Sequence, residues 1–112
     1  MKTHSMSLES PHFNNVVSKK KKYEIRIFDE KRQTLRLGDQ IEFTKKDGTE
    51  TVTRNITQLM LFDSFYEALH TLSDYKDALP DVNTIDEGVE LYEKIPYKSS
   101  AETYGIVVIK LA

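Results

Sequence analysis

The segment 23–28, with the sequence YEIRIF, alternates strictly between two kinds of side chain. Successive side chains of a β-strand point to opposite faces of a sheet, so this alternation predicts a strand with one apolar face. The other face carries Glu24, Arg26 and Phe28. Such a strand lies either at the surface or in the wall of a polar cleft. The basic run Lys19–Lys22 precedes it and brings positive charge to the edge of that wall.

Four other segments are predicted to be strands, at 6–8, 40–44, 49–59 and 104–111. Asp47-Gly48 supplies the positive φ angles that tight hairpin turns need, so the second and third of these strands should pair as a hairpin. The long apolar run near the end of the chain fits a central strand. Residues 1–5 carry no signal for order, and we expect them to form a disordered tail.

Three helices are predicted, at 11–19, 64–73 and 85–94. Ser10 precedes a proline, which is tolerated at the first position of a helix, and serine is a favoured N-cap. Ser64 is followed three residues later by Glu67, and Thr84 by Glu87, in the pattern of a capping box. The two capping boxes therefore define the starts of the second and third helices.

The predicted order is one helix, several strands, two helices and a final strand. Pro96 is expected to end the third helix, and residues 98–102 to form a polar loop before the last strand. Antiparallel strands joined by a hairpin, with helices kept apart from them, indicate an α+β fold. We expect a small, mostly antiparallel β-barrel with flanking helices.

A chain of 112 residues is long enough for a single domain, which we place at 6–112. It contains no cysteine, which excludes disulfides, thiolate catalysis and cysteine-ligated zinc. The three histidines, His4, His12 and His70, lack metal-ligand spacing, so we expect neither a metal site nor a cofactor. No apolar run is long enough to cross a membrane. We expect a cytoplasmic protein with no membrane partner, and the sequence leaves its oligomeric state open.

The net charge of −2 conceals an uneven distribution. Residues 1–56 carry 12 Lys and Arg against 8 Asp and Glu, whereas residues 57–112 carry 4 against 10. A basic first half and an acidic second half predict a protein with one basic face. A nucleic-acid partner would then be held locally rather than across the whole surface.

The segment 19–26 resembles the sequence pattern of the ASCH domain family, which belongs to the PUA-like superfamily. Its pattern is Gly-x-Lys-x-x-Glu-x-Arg, and Lys21, Glu24 and Arg26 stand at the charged positions. Gly38-Asp39 resembles the family's Gly-Asp turn, and the last predicted strand resembles the family's last barrel strand. Lys19 stands where the pattern has glycine, which is a departure. The resemblance covers nearly the whole chain and implies a PUA-like barrel.

The resemblance implies a site for RNA or a nucleotide-like ligand, because the wider superfamily binds RNA or modified bases. One branch hydrolyses N4-acetylcytidine with a lysine, a threonine and a glutamate. Lys21 matches that lysine, but Glu24 replaces the threonine, and Asp81 lies in about the region of the third residue. Glu24 agrees instead with the larger group of the family. A small hydrolase acting on a modified nucleoside or on RNA is therefore the alternative function.

The candidate ligand-binding residues are Lys21, Glu24, Arg26, Lys31 and Arg32. In an enzyme, Glu24 would be the general base, and Lys21 would stabilise developing negative charge. The simpler interpretation is a solvated strand face on which a Glu–Arg pair contributes only about 0–1 kcal/mol. The two interpretations differ in whether these side chains converge in one pocket.

Overall fold

The computed structural model describes residues 1–94 and 97–112, without the side chain of Tyr97. Its strands are β1 (Thr3–Leu8), β2 (Tyr23–Ile27), β3 (Gln40–Lys45), β4 (Thr51–Phe62) and β5 (Ile106–Leu111). Its helices are α1 (His12–Val17), α2 (Phe65–Thr71), α3 (Ile85–Tyr92) and α4 (Tyr97–Tyr104). Two single turns of 3₁₀ helix, at Arg32–Thr34 and Tyr75–Asp77, lie in the connections.

The five strands form one curled, mixed sheet in the order β1-β3-β4-β5-β2. β1 runs parallel to β3, and the other three pairings are antiparallel. β1 and β2 are the two outer strands, yet Arg26 Nη2 of β2 donates a hydrogen bond of 2.9 Å to the Ser7 carbonyl oxygen of β1. The sheet therefore curls until its two edges face each other, and the predicted α+β barrel architecture is confirmed.

The apolar core lies on both faces of the central strand β5. Val107 and Ile109 belong to a cluster with α1, β1 and β3, whereas Ile106 and Val108 belong to a second cluster with α2 and α3. All four side chains are fully buried. This burial on two faces explains the unbroken apolar run, because a strand covered on both sides has no polar face.

Both predicted N-caps are present, and the two glutamate side chains accept from the amides of Asp63 and Asn83, one residue before each cap, rather than from the cap amides. The Ser64 hydroxyl accepts a hydrogen bond from the Glu67 amide at 3.1 Å, and Thr84 does the same for the Glu87 amide at 3.1 Å. The predicted cap at Ser10 was wrong, because α1 has Pro11 at its N-cap position with no side-chain cap. The Ser10 hydroxyl instead accepts a hydrogen bond from the Asn14 side chain.

Two other sequence predictions need correction. Residues 1–5 were expected to be disordered, but β1 begins at Thr3 and pairs with β3 from Gln40 onward. Residues 98–102 were expected to form a loop, but they belong to α4, which also contains Tyr104, so β5 starts only at Ile106. The first error concerns a segment that pairs with a strand distant in the sequence. The predicted helix end at Pro96 lies outside the described residues.

Candidate functional site

The polar face of β2 is buried rather than solvated. Lys21 and Glu24 are each only 3% exposed, and Lys21 Nζ lies 3.3 Å from Glu24 Oε1. Lys21 Nζ also donates a hydrogen bond to the carbonyl oxygen of Ala78, in the connection between α2 and α3. Lys21 thus connects the start of β2 to the loop between α2 and α3.

Arg26 binds the other oxygen of the same carboxylate. Its Nε and Nη2 atoms donate hydrogen bonds of 3.0 and 2.9 Å to Glu24 Oε2. The second of these nitrogens also makes the bond to Ser7 that spans the two sheet edges. Glu24 therefore lies between two cations, and both of its oxygens are occupied.

Burial and the neighbouring opposite charge shift the pKa values of Lys21 and Glu24 in opposite directions. Burial lowers the pKa of Lys21 below its ordinary value, and the neighbouring Glu24 carboxylate offsets only part of that effect. For Glu24, burial raises the pKa, but Lys21 and Arg26 together outweigh it, so the pKa of the carboxyl lies below its ordinary value. Glu24 is thus held as a carboxylate by its two partners.

These residues lie at a cleft of about 580 Å³ between the two outer strands. The lining includes five cationic side chains, from Lys21, Arg26, Arg32, Lys46 and Lys94, and three carboxylates, from Glu9, Glu24 and Asp29. Apolar side chains line another part, including Ile25, Phe65, Leu91 and Tyr92. The cleft therefore combines a charged part with an apolar wall.

Four of the five predicted ligand residues line this cleft: Lys21, Glu24, Arg26 and Arg32. Lys31 is exposed and is not part of the lining. Asp81 is also exposed, and its Oδ2 accepts a hydrogen bond of 2.8 Å from the Asn15 side chain. Among the lining residues there is accordingly no carboxylate at the position considered from the sequence for a third catalytic residue.

Arg32 is held by Asp29, whose Oδ2 lies 3.1 Å from Arg32 Nη1. The Arg32 Nε atom is buried and has no hydrogen-bond partner within the described part of the chain. The Asp29 carboxylate also accepts a hydrogen bond from the Arg32 backbone amide, which starts the 3₁₀ turn. This turn positions the guanidinium at the cleft.

Several residues that line the cleft were not among the sequence-based candidates, including His12, Lys46, Tyr92 and Lys94. His12 is half-buried, and its pKa is lowered first by burial and then by the charge of Lys21. Tyr92 stacks on Phe65 with ring centroids 4.8 Å apart, and burial raises the pKa of its hydroxyl. No local signal in the sequence marked His12 as part of a cleft.

The Lys19 departure from the glycine of the family pattern also has a structural explanation. Lys19 follows the C-cap of α1 and has a φ of 65°, the left-handed conformation that glycine adopts most easily. The position thus requires the backbone geometry of a helix end, and here a lysine provides it. Lys19, Lys20 and Lys22 are exposed, in contrast to Lys21.

The described residues contain no group of three potential ligands placed to hold a metal ion. None of the helices found in residues 1–94 and 97–112 is long and apolar enough to cross a membrane.

The curled mixed sheet and its helices match the ASCH/PUA-like fold. Residues 6–112 match the ASCH domain family, and the chain belongs to that family.

Three solved structures are similar to the chain. The hypothetical protein PH0355 is 31% identical with a TM-score of 0.85, and the match covers 99% of this chain and 97% of that one. Protein PF0455 from Pyrococcus furiosus is 27% identical with a TM-score of 0.75, over 97% and 94%. An ASCH protein from Zymomonas mobilis is 13% identical with a TM-score of 0.68, over 98% and 66%, and shares the fold. No curated protein matches the chain.

Proposed function

We propose that the cleft binds single-stranded RNA or a nucleotide-like ligand. The observation that carries the proposal is the convergence of five cationic side chains on one cleft. Five cations against three carboxylates give the lining a formal charge of +2, in a chain whose net charge is −2. Positive charge is thus concentrated where the surface is concave, and such a surface attracts phosphate groups.

The apolar wall suits the base of the same ligand. Tyr92 and Ile25 lie on the side of the cleft formed by α3 and β2, and Tyr92 is fixed by its stack on Phe65. Bases of single-stranded nucleic acids bind to aromatic and apolar surfaces, whereas their phosphates bind to Lys and Arg. A cleft with both kinds of wall can hold one nucleotide by both of its parts.

Lys46 and Lys94 are the best positions at which to test this proposal. Both are exposed and line the cleft, and the one ion pair found for Lys46 joins it to the exposed Glu9 at 3.1 Å. Arg26 is less suitable, because its removal would also take a partner from the buried Glu24. Substitution of the two lysines therefore changes the charge of the cleft without opening the core.

The experiment is a fluorescence anisotropy titration of a labelled single-stranded RNA over a series of salt concentrations. We expect weak binding that falls as salt rises, and a Lys46→Gln/Lys94→Gln variant that binds about tenfold less tightly. The slope of log affinity against log salt should fall by about 1.4 in this variant, since each phosphate contact on a single strand contributes about 0.7.

The matched control is Lys20→Gln/Lys98→Gln, which removes two exposed lysines that do not line the cleft. We expect this control to retain most of the affinity. Equal losses in the two variants would mean that binding depends on overall charge, and absence of binding at low salt would contradict the proposal altogether.

A hydrolase acting on a modified nucleoside or on RNA is the second candidate, and His12 is the observation that favours it. His12 lines the cleft, and burial first and the charge of Lys21 second lower its pKa, which favours the neutral imidazole that a general base requires. Glu24 is less suited to act as a general base, because one of its oxygens pairs with Lys21 and the other accepts hydrogen bonds from Arg26.

Incubation with N4-acetylcytidine tests this second candidate. We expect no deacetylation, because Glu24 replaces the threonine of the hydrolytic branch. Deacetylation that is lost in a His12→Ala variant and retained in a His70→Ala control would establish the hydrolase instead.

A further inference from the structure

A second concavity, of about 420 Å³, lies where β2, β4, β5 and the last turn of α4 meet. We call it the carboxylate–aromatic pocket, because its walls carry two carboxylates, Asp63 and Glu102, and three aromatic rings, Phe28, Phe62 and Tyr104. Leu61, Ala101, Thr103, Gly105 and Ile106 complete the lining. None of these ten residues lines the cleft of the proposed function, so the two concavities are separate.

Glycine at position 105 allows the pocket to form. Gly105 has a φ of 76°, and a Cβ atom there would lie 3.0 Å from the carbonyl oxygen of Phe62. Its own carbonyl oxygen accepts a hydrogen bond of 2.9 Å from the amide of Phe28. The ends of β2 and β4 can therefore approach the start of β5 closely, which brings Phe28 and Phe62 to the same pocket.

The electrostatics of this pocket favour a cation. The lining contains no Lys, Arg or His, and in the described part of the chain neither Asp63 nor Glu102 pairs with a cationic side chain. The C-terminal turn of α4 also borders the pocket, and a helix C-terminus carries partial negative charge. Basic side chains often occupy such a position, but the last turn of α4 has none.

The three aromatic rings favour one kind of cation over others. Aromatic faces attract cations through their quadrupole, and the attraction is strongest where water is displaced. A bare ammonium group is compact and strongly hydrated, so it gains little from an apolar wall. An alkylated ammonium group carries the same charge with apolar methyl groups, and it can contact the rings and the carboxylates together.

We infer that the carboxylate–aromatic pocket binds an alkylated ammonium group. The carboxylates of Asp63 and Glu102 would neutralise its charge, while Phe28, Phe62 and Tyr104 contact its methyl groups. This inference is independent of RNA or nucleotide binding in the cleft.

The test compares two ligands of nearly the same shape by amide NMR spectroscopy of the full chain. One is choline, and the other is its neutral isostere, in which a tert-butyl group replaces the trimethylammonium group. We expect saturable shifts at the amides of Asp63, Gly105 and Ile106 with choline, and binding about tenfold weaker with the neutral compound. A parallel titration with free trimethyllysine distinguishes a protein-derived ammonium from a small-molecule one by which cation binds more tightly.

Two variants distinguish the contribution of the carboxylates to choline binding from that of the aromatic rings. Asp63→Asn/Glu102→Gln should lose most of the preference for choline over its isostere. Tyr104→Leu keeps apolar bulk but removes a π face, and it should weaken choline binding without affecting the isostere. The control Asp86→Asn/Glu90→Gln removes two exposed carboxylates of α3 that lie outside the pocket, and it should bind as the unmodified chain does.

Dispersed amide spectra establish that each variant is folded. Equal affinity for choline and its isostere would overturn the inference, as would an equal loss in the control variant. Shifts that do not saturate at millimolar choline, or that spread over the acidic surface, would also overturn it.

Discussion

Replacement of Glu24 by glutamine should destabilise the fold far more than a typical substitution of a strand glutamate. The carboxylate forms an ion pair with Lys21 through one oxygen and accepts hydrogen bonds from Arg26 through the other. A glutamine has a single oxygen, so its amide nitrogen must face one of the two cations. Because the Lys21 side chain is only 1% exposed, its charge cannot be solvated by water instead.

The expected magnitude follows from the burial of this charge. Removal of one partner from a buried ion pair typically costs about 3–5 kcal/mol, because the other charge remains buried without compensation. That is a large part of the roughly 5–15 kcal/mol by which a domain is stable. A chain of this size loses about 4 °C in Tm per kcal/mol, so Glu24→Gln should lower the Tm by about 12–20 °C.

Urea denaturation followed by circular dichroism measures this effect. The matched control is Glu42→Gln, on β3, a partly exposed strand glutamate that forms no ion pair within residues 1–94 and 97–112. We expect the control to change stability by about 0.5 kcal/mol or less. The double variant Glu24→Gln/Lys21→Met should recover part of the loss, since it removes the isolated charge as well.

A loss of stability in Glu24→Gln no larger than that in Glu42→Gln would contradict a buried, compensated charge at position 24. That result would mean that the pair is solvated in the folded chain and that its partners contribute little. Strict additivity of Glu24→Gln and Lys21→Met in the double variant would likewise contradict a direct interaction.

Three other predictions concern the same fold. The pKa of Glu24 is lower in the folded chain than in the unfolded chain. The stabilisation from its carboxylate is therefore fully present above the unfolded pKa of about 4.3 and is lost as the pH falls through the folded pKa. The difference in free energy of unfolding between the unmodified chain and Glu24→Gln, measured in urea, should accordingly shrink below about pH 4. Lys19→Gly should raise the free energy of unfolding measured in urea by about 0.5–1 kcal/mol, because glycine adopts the left-handed conformation of this position without the strain of a lysine, whereas Lys20→Gly, at a position with no positive φ, should not. Gly105→Ala should lower the Tm by the equivalent of about 1–3 kcal/mol; Gly38→Ala, which shares the positive φ but has nothing within 4 Å of its Cβ position, should cost less, and an equal cost would contradict a role for the Phe62 carbonyl contact.

The elements that were predicted correctly are those whose signals are local. A serine or threonine cap and a glutamate three residues later satisfy backbone amides within one turn, so α2 and α3 start where the sequence places them. Asp47-Gly48 likewise determines a turn within a few residues, and β3 and β4 pair across it. The strict alternation of 23–28 predicted β2 in the same way.

Long-range pairing explains why the first half of β1 was missed. β1 is short and polar on alternate residues, and it becomes a strand because β3 offers a parallel edge almost 40 residues further along. The start of this strand is also held by Asp39, whose carboxylate accepts a hydrogen bond from the Lys2 amide and lies 2.8 Å from His4 Nε2. Neither partner can be read from the first residues of the chain.

Some features of the candidate site likewise follow from the local sequence, whereas others depend on the tertiary structure. The sequence by itself determined which residue types are available and placed Glu24 and Arg26 on one face of a strand, because the strand period depends only on local geometry. It did not determine that this face is buried, that Lys21 reaches the Ala78 carbonyl, or that His12 and Tyr92 join them. Those features arise only when the sheet curls and its two edge strands meet, since a cleft between distant segments has no counterpart in any single stretch of the chain.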